Sequence, residues 1–178
     1  MTVFFDVDTQ LDFLFPAGAL YVPSAEKLLP QLGRLTSFAG KNGIPLISTM
    51  DAHTENDPEF RHWPPHCVAG TLGQRKAETT LLARAEKQLF IEKQSVDCFT
   101  SIRLAEVLQE LQASRYVVYG VVTEICVKHA VLGLLKTGAE VVLVEDAIRE
   151  LKETSATAML TEFQARGGRL ATVDQITS

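Results

Sequence analysis

The sequence carries little that would tie it to a nucleic acid, a membrane or an oxidising compartment. Its 17 Lys and Arg residues are outnumbered by 22 Asp and Glu, for a formal net charge of −5. It therefore lacks the basic footprint that grips phosphate backbones. No apolar run approaches the roughly 20 residues of a membrane-spanning helix. The opening stretch Met1-Thr2-Val3-Phe4-Phe5-Asp6 has neither the basic start nor the cleavage site of a secretory signal, so a cytoplasmic location is expected. Cysteine is scarce. Cys67, Cys98 and Cys126 are three in number, so they cannot all pair internally, and in a reducing compartment they read as thiols. Repeats, linkers and low-complexity tracts are also missing, which leaves a single domain over residues 1–178. A chain of this length can bury a sizeable core.

What is there alternates. Val3 to Asp8, Ile44 to Thr49, Gln88 to Glu92, Tyr116 to Gly120, Val141 to Val144 and Leu170 to Val173 read as strands. Helical patterns lie between them. One runs from Ser24, as its cap, to about Gly40, and a second from Ile102 to Gln112. A third runs from Glu124 to Thr137 and closes at Gly138; the last, from about Thr154 to Arg166, closes at Gly167-Gly168. The alternation predicts an α/β fold, a three-layer α/β/α sandwich around a central, mainly parallel sheet. The pattern breaks between Asp51 and about Thr80, where Pro58, Pro64, Pro65, Gly70 and Gly73 mark a long irregular loop. A loop of that length inside a compact domain is usually functional or mobile.

In open sheets of this class, sites form at the carboxyl ends of the strands. Asp8, Asp51, Lys93 and Cys126 all fall at or just past such ends. Cys126 lies where an apolar strand runs into a helix start. With Thr123 as the cap, the thiol would sit in the first turn, where the helix dipole favours a thiolate and free N–H groups can hold an oxyanion. A strand-end carboxylate such as Asp8 can shuttle a proton, but Asp6 shares its side of the strand, and alternation alone leaves both open. Lys93 could stabilise a thiolate; taken alone it reads more simply as a solvated surface lysine. Asp51-Ala52-His53, with His66 further on, offers a ligand set for zinc, iron or manganese. Glu55, Asp57, Glu59 and His62 are spare ligands nearby. Trp63, the only tryptophan, would stack on a flat substrate or fill core. His129, three residues after Cys126, is read as packing. Each candidate also has a bland role: a free Cys is usually a small buried hydrophobe.

Taken together, Val7-Asp8-Thr9-Gln10-Leu11-Asp12-Phe13, Pro16-Ala17-Gly18-Ala19-Leu20, Asp51-Ala52-His53, Trp63-Pro64-Pro65-His66-Cys67-Val68-Ala69-Gly70-Thr71, Lys93 and the segment from Gly120 to Val127 resemble the isochorismatase-like cysteine hydrolases, and within them the nicotinamidases. The stretch from Trp63 to Thr71 is the most specific part. The resemblance implies Asp8 as general base, Lys93 as its charge-stabilising partner and Cys126 as nucleophile. It implies a divalent metal on Asp51, His53 and His66, zinc ahead of iron or manganese. Waters or a further side chain would complete the shell, and Glu59 stands about where some members have an extra histidine. Phe13 and Trp63 would line a ring pocket. A cis peptide between Val121 and Val122 would turn the Val122 N–H toward the oxyanion, beside that of Cys126.

The implied activity is hydrolysis of a small linear carboxamide, nicotinamide to nicotinate and ammonia through a Cys126 thioester, with NAD salvage as the usual setting. The alternatives are another amide or ureido hydrolase of the family, or a metal-free isochorismatase. The intact set of three catalytic residue types argues against a non-catalytic scaffold. Family members commonly self-associate, which leaves a homo-oligomer open, and no nucleic-acid or membrane partner is expected. One departure stands out: many nicotinamidases carry Asp followed by His or Tyr just before the nucleophile, and here the pair is Glu124-Ile125.

Overall fold

Six parallel strands form the middle layer of the computed structural model, which describes residues 1–178 apart from the side chain of Ala85. They are β1 (Thr2–Val7), β2 (Leu46–Asp51), β3 (Gln88–Lys93), β4 (Arg115–Val121), β5 (Glu140–Arg149) and β6 (Arg169–Ala171), in the order β3-β2-β1-β4-β5-β6. Every pairing in this sheet is parallel. Both faces are covered, which is why the strands read as apolar runs rather than as alternating patterns. Phe4 enters one core with residues of α1 (Leu11–Leu14), α2 (Leu29–Asn42) and α6 (Val173–Thr177). Val3, Phe5 and Val7 enter the other with α3 (Ile102–Leu111), α4 (Lys128–Leu135) and α5 (Glu153–Ala165).

The chain winds outward from β1 through β2 to β3, then returns to build β4, β5 and β6 on the other side of β1. The order reverses between β1 and β4, and in open sheets the crevice at that reversal is where ligands bind. Asp8 follows β1 and Cys126 follows β4, so the two sit on either side of it. The two strands approach closely at Gly120, which pairs with Val7. A Cβ there would lie 2.1 Å from the Val7 carbonyl oxygen, and its φ of +121° belongs to glycine.

Several boundaries differ from the sequence reading for physical reasons. Ser24 does not cap a helix: it is left-handed, its side chain caps nothing, and its N–H donates to the Tyr21 hydroxyl at 2.8 Å. A 3₁₀ turn, Ala25–Leu28, leads into α2, which carries Pro30 in its first turn and runs past Gly40 to a left-handed C-cap at Gly43. β5 continues well beyond Val144, but exposed Glu145 and Asp146 interrupt its apolar run and hide the extension. The short α1 and α6 were not anticipated; α6 opens with a capping box between Thr172 and Gln175. Among the described residues, no helix is long and apolar enough to cross a membrane.

Gly120 and Gly138 both have positive φ, but only Gly120 meets another strand; nothing lies within 4 Å of a Cβ at Gly138. Urea denaturation is expected to show Gly120→Ala costing more than about 3 kcal/mol. Gly138→Ala should cost about 1–2 kcal/mol.

Candidate active site

The ends of β1, β2 and β3 bring three charges together. Asp8 leaves β1 with a left-handed backbone, φ +50°. Its carboxylate accepts from the Thr49 hydroxyl at 2.7 Å and lies 2.9 Å from Lys93 Nζ. Asp51 and Lys93 are register partners across β2 and β3, and Nζ also donates to Asp51 Oδ1. The Lys93 side chain is wholly buried, which overturns the simpler reading of a surface lysine. Cys126 Sγ lies 3.9 Å from Nζ. The ambiguity between the two N-terminal acids also resolves. Asp6 accepts from Thr9 and Ser48 at 2.8 and 3.0 Å and pairs with Lys76 Nζ at 2.7 Å. It is a structural acid that ties the long loop to β1 and β2.

Electrostatics set the resting protonation. Burial alone would lower Lys93, but the negative charges of Asp8 and Asp51 beside it hold it well above its usual value, so it stays a cation. Burial raises Asp8 in spite of Lys93. Burial also pushes the Cys126 thiol well above its usual value against the pull of Lys93, and the nearby Asp8 adds to the rise through its charge and a hydrogen bond. That direction accords with a thiol whose proton Asp8 has to take, the role the resemblance implies for Asp8. Thr123 is not the cap. Thr123–Val127 form a π-helical turn with Val122 in the cap position and no side-chain cap bond, and α4 begins only at Lys128. The Val122 carbonyl accepts from Ile125 and Val127 N–H at 3.0 and 3.1 Å. Such widened turns recur at functional sites. The peptide joining Val121 to Val122 is cis.

On the other side of Lys93, Asp51, His53 and His66 form a buried cluster whose ligand atoms lie within 4.8 Å of one another. Asp51 Oδ2 is 3.7 Å from Nε2 of each histidine. That is too long for a hydrogen bond. It suits atoms that each sit about 2.0–2.2 Å from one shared ion. The outer ring nitrogens are engaged elsewhere: His66 Nδ1 is 2.7 Å from the Pro64 carbonyl oxygen, and His53 Nδ1 is 3.0 Å from Asp57 Oδ2. Metal-ligating histidines are held in this way, so the residues fit a divalent cation. Burial would raise Asp51, but the charge of Lys93, aided by the neighbouring imidazoles of His53 and His66, holds it far below the usual carboxylate range. Glu59 is half-buried on the adjoining pocket wall and outside the three-residue cluster. Glu55 and His62 are exposed and stand outside it too, so they are not spare ligands.

Two residues of the first motif hold the frame. Gln10 donates to the carbonyls of Asp51 and Gln74 at 2.8 and 2.7 Å and accepts from Asp51 N–H at 2.7 Å. Asp12 accepts from Cys67 N–H at 2.7 Å, fixing the residue after His66, and from Ala19 N–H at 2.9 Å. Neither residue carries a reactive signature in the sequence; both act as anchors of backbone, which only the folded contacts reveal. His129 is exposed, 3.8 Å from Asp97, rather than packed. Cys67 and Cys98 are buried and free; burial pushes the Cys98 thiol up to about 12.

A small cavity opens over the thiol, with about 30 Å³ open to the centre of a water molecule. Phe13, Trp63, His66, Val122, Ile125 and Leu151 are among its lining residues, with Asp51 and Glu59 as its acidic members. Among the described residues, no Lys or Arg lines it. The departure at Glu124-Ile125 has a structural meaning. The Glu124 carboxylate accepts from Leu151 and Lys152 N–H at 3.1 and 2.7 Å. It thereby holds the chain between β5 and α5 so that Leu151 joins Ile125 on the wall.

A three-layer parallel α/β sandwich with an acid, a lysine and a thiol on its carboxyl edge has the layout of an α/β cysteine hydrolase. The chain matches the isochorismatase domain over residues 2–175, and it belongs to that family of hydrolases. It is 26% identical over 205 residues to the nicotinamidase of Escherichia coli, covering 94% of this chain and 92% of that protein. The structure of the Pyrococcus horikoshii pyrazinamidase in complex with zinc superposes with a TM-score of 0.87 at 31% identity, covering 96% of this chain and 98% of that one. The N-carbamoylsarcosine amidase of Thermoplasma acidophilum shares the fold, with a TM-score of 0.85 at 22% identity over 97% and 96% of the two chains.

Removing a partner from the Asp6–Lys76 pair leaves a buried charge uncompensated. Lys76→Met is expected to cost about 3–5 kcal/mol in urea unfolding. Arg34→Ala, which breaks the exposed Arg34–Asp174 pair, should cost less than about 1 kcal/mol.

Proposed function

We propose that the protein hydrolyses a small, neutral aromatic carboxamide, with nicotinamide as the first substrate, to the acid and ammonia. One observation carries this reading. The cavity over Cys126 is walled by aromatic and aliphatic side chains, reaches His66 and Asp51 of the two-histidine cluster, and has no cationic lining residue among those described. Isochorismate and carbamoyl amino acids bring carboxylates that would face the Asp51 and Glu59 carboxylates of the lining with no Lys or Arg among the lining residues to pair them. The nicotinamidase and pyrazinamidase relatives support the same reading. NAD salvage in the cytoplasm is the setting this activity implies.

The residues divide the work as follows. Asp8 takes the Cys126 proton as Sγ attacks the carboxamide carbon. Lys93 remains protonated 2.9 Å from Asp8 and 3.9 Å from Sγ, and steadies negative charge on whichever atom carries it. The Val122 and Cys126 N–H groups are the proposed donors to the oxyanion. As the C–N bond breaks, the proton on Asp8 passes to the leaving nitrogen and ammonia departs. Asp8 then takes a proton from water as the water oxygen adds to the thioester carbon, and returns it to Sγ as the C–S bond breaks, which releases the acid and restores the thiol. Asp51, His53 and His66 would hold the divalent cation, zinc first and iron or manganese next, which when bound supplies a Lewis acid for a ring nitrogen. Phe13 and Trp63 flank the ring, with Ile125 and Leu151 also in the lining.

Purified protein supplied with zinc is expected to release ammonia from nicotinamide, and Cys126→Ala to lower kcat by about 10³-fold or more. An N-carbamoyl amino acid should release none. Release from the carbamoyl compound and not from nicotinamide would assign the site to a ureido hydrolase of the family instead.

A further inference from the structure

Asp57 is not one of the three clustered ligand residues, contrary to its reading as a spare ligand, yet it is only 8% exposed and touches one of them. Among the described residues, no Lys or Arg pairs with it, and its ion-pair contact is to His53. Its two oxygens have different partners. Oδ1 accepts from Glu59 N–H at 2.9 Å and caps the 3₁₀ turn Pro58–Arg61. Oδ2 lies 3.0 Å from His53 Nδ1. His53 is wholly buried, with its Nε2 turned to Asp51 Oδ2.

A neutral imidazole has one N–H and one lone pair. Both ring nitrogens face a carboxylate, which can only accept, but Asp57 Oδ2 is at 3.0 Å from Nδ1 against 3.7 Å from Asp51 Oδ2 to Nε2, so the nearer acceptor draws the proton to Nδ1 and leaves the lone pair on Nε2. That lone pair faces the position that Asp51 and His66 also face. His66 reaches the same state by another route, since its Nδ1 meets the Pro64 carbonyl oxygen, which also only accepts. The two histidines thus have different guardians, a backbone group for one and a charged side chain for the other. Only the second can be changed by mutation without moving the main chain. The same carboxylate also sets Glu59, through its N–H, on the pocket wall.

We infer that Asp57 is a positioning residue for the cation site, fixing the tautomer and orientation of His53 so that Nε2 is ready to ligate. This rests on the metal reading of Asp51, His53 and His66. Asp57→Asn separates the two jobs. The amide oxygen can keep the bond to Glu59 N–H, and the amide nitrogen then faces Nδ1 as a donor. A donor there draws the proton to Nε2, which is the wrong tautomer for ligation.

The test is zinc affinity, read by competition with a chromogenic chelator, together with the melting temperature of each metal-free variant. Asp57→Asn is expected to bind zinc about 10–100-fold more weakly, with the metal-free melting temperature close to that of the parent. Asp57→Ala should weaken zinc at least as much and also lower the melting temperature, because the cap is lost. Glu55→Gln, which removes the same charge at an exposed neighbour, should leave affinity unchanged. Parental zinc affinity in Asp57→Asn overturns the inference and leaves the metal site standing. A parent chain that binds no zinc, iron or manganese overturns the metal reading and this inference with it.

Discussion

Lys93 lies between two buried carboxylates, and the rest of the site depends on it. One ammonium touches Asp8 and Asp51, and Cys126 Sγ is 3.9 Å from the same nitrogen. Two carboxylates and one ammonium leave a net negative charge, and the excess faces His53 and His66 through Asp51 Oδ2. A divalent cation held there would answer that excess. The thiol and the Asp51, His53 and His66 cluster that fits a cation are therefore parts of one charge arrangement. Buried ion pairs add little to stability against an apolar substitute, while stranding one partner is costly. The arrangement is explained by what it holds in place.

The fold delivers these groups by register. Asp51 and Lys93 face each other as the last paired residues of β2 and β3, and Val7, just before Asp8, pairs with both Thr49 and Gly120. Gly120 lets β1 and β4 come close enough for Asp8 and Cys126 to share a crevice. The long loop that would be a liability elsewhere is fastened from beneath. Gln10 and Asp12 hold its backbone, and the Asp6–Lys76 pair anchors its far end. His66 and Trp63 thus reach the pocket on a constrained segment.

Much of this was legible from residue order, because strand ends in an open parallel sheet share one edge. Asp8, Asp51, Lys93 and Cys126 could be placed there by apolar runs alone. What could not be read was which neighbours shield a charge. Lys93 and Asp6 look like ordinary polar residues until the strands carrying their partners are set side by side. The π-helical turn at Cys126 was hidden for a similar reason. Thr123 is an acceptable cap in isolation, and only the Val122 carbonyl, shared between two N–H groups, shows the wider turn. Glu124 reads as a departure from a motif, and its clamp on Leu151 and Lys152 needs a contact spanning 27 residues. The extent of β5 was lost because Glu145 and Asp146 are exposed in mid-strand.

The central claim is that Cys126 is the nucleophile of a pocket built for a neutral aromatic acyl group. Its most direct test is a carbon-13 spectrum of pyridine-3-carbaldehyde, labelled at the aldehyde carbon and bound to the protein. Addition of Sγ turns that carbon from trigonal to tetrahedral, with its resonance moving far upfield. The account predicts this shift in the parent protein and its loss in Cys126→Ala. A carbonyl that binds and stays trigonal in the parent, or a tetrahedral signal that survives in Cys126→Ala, would contradict it.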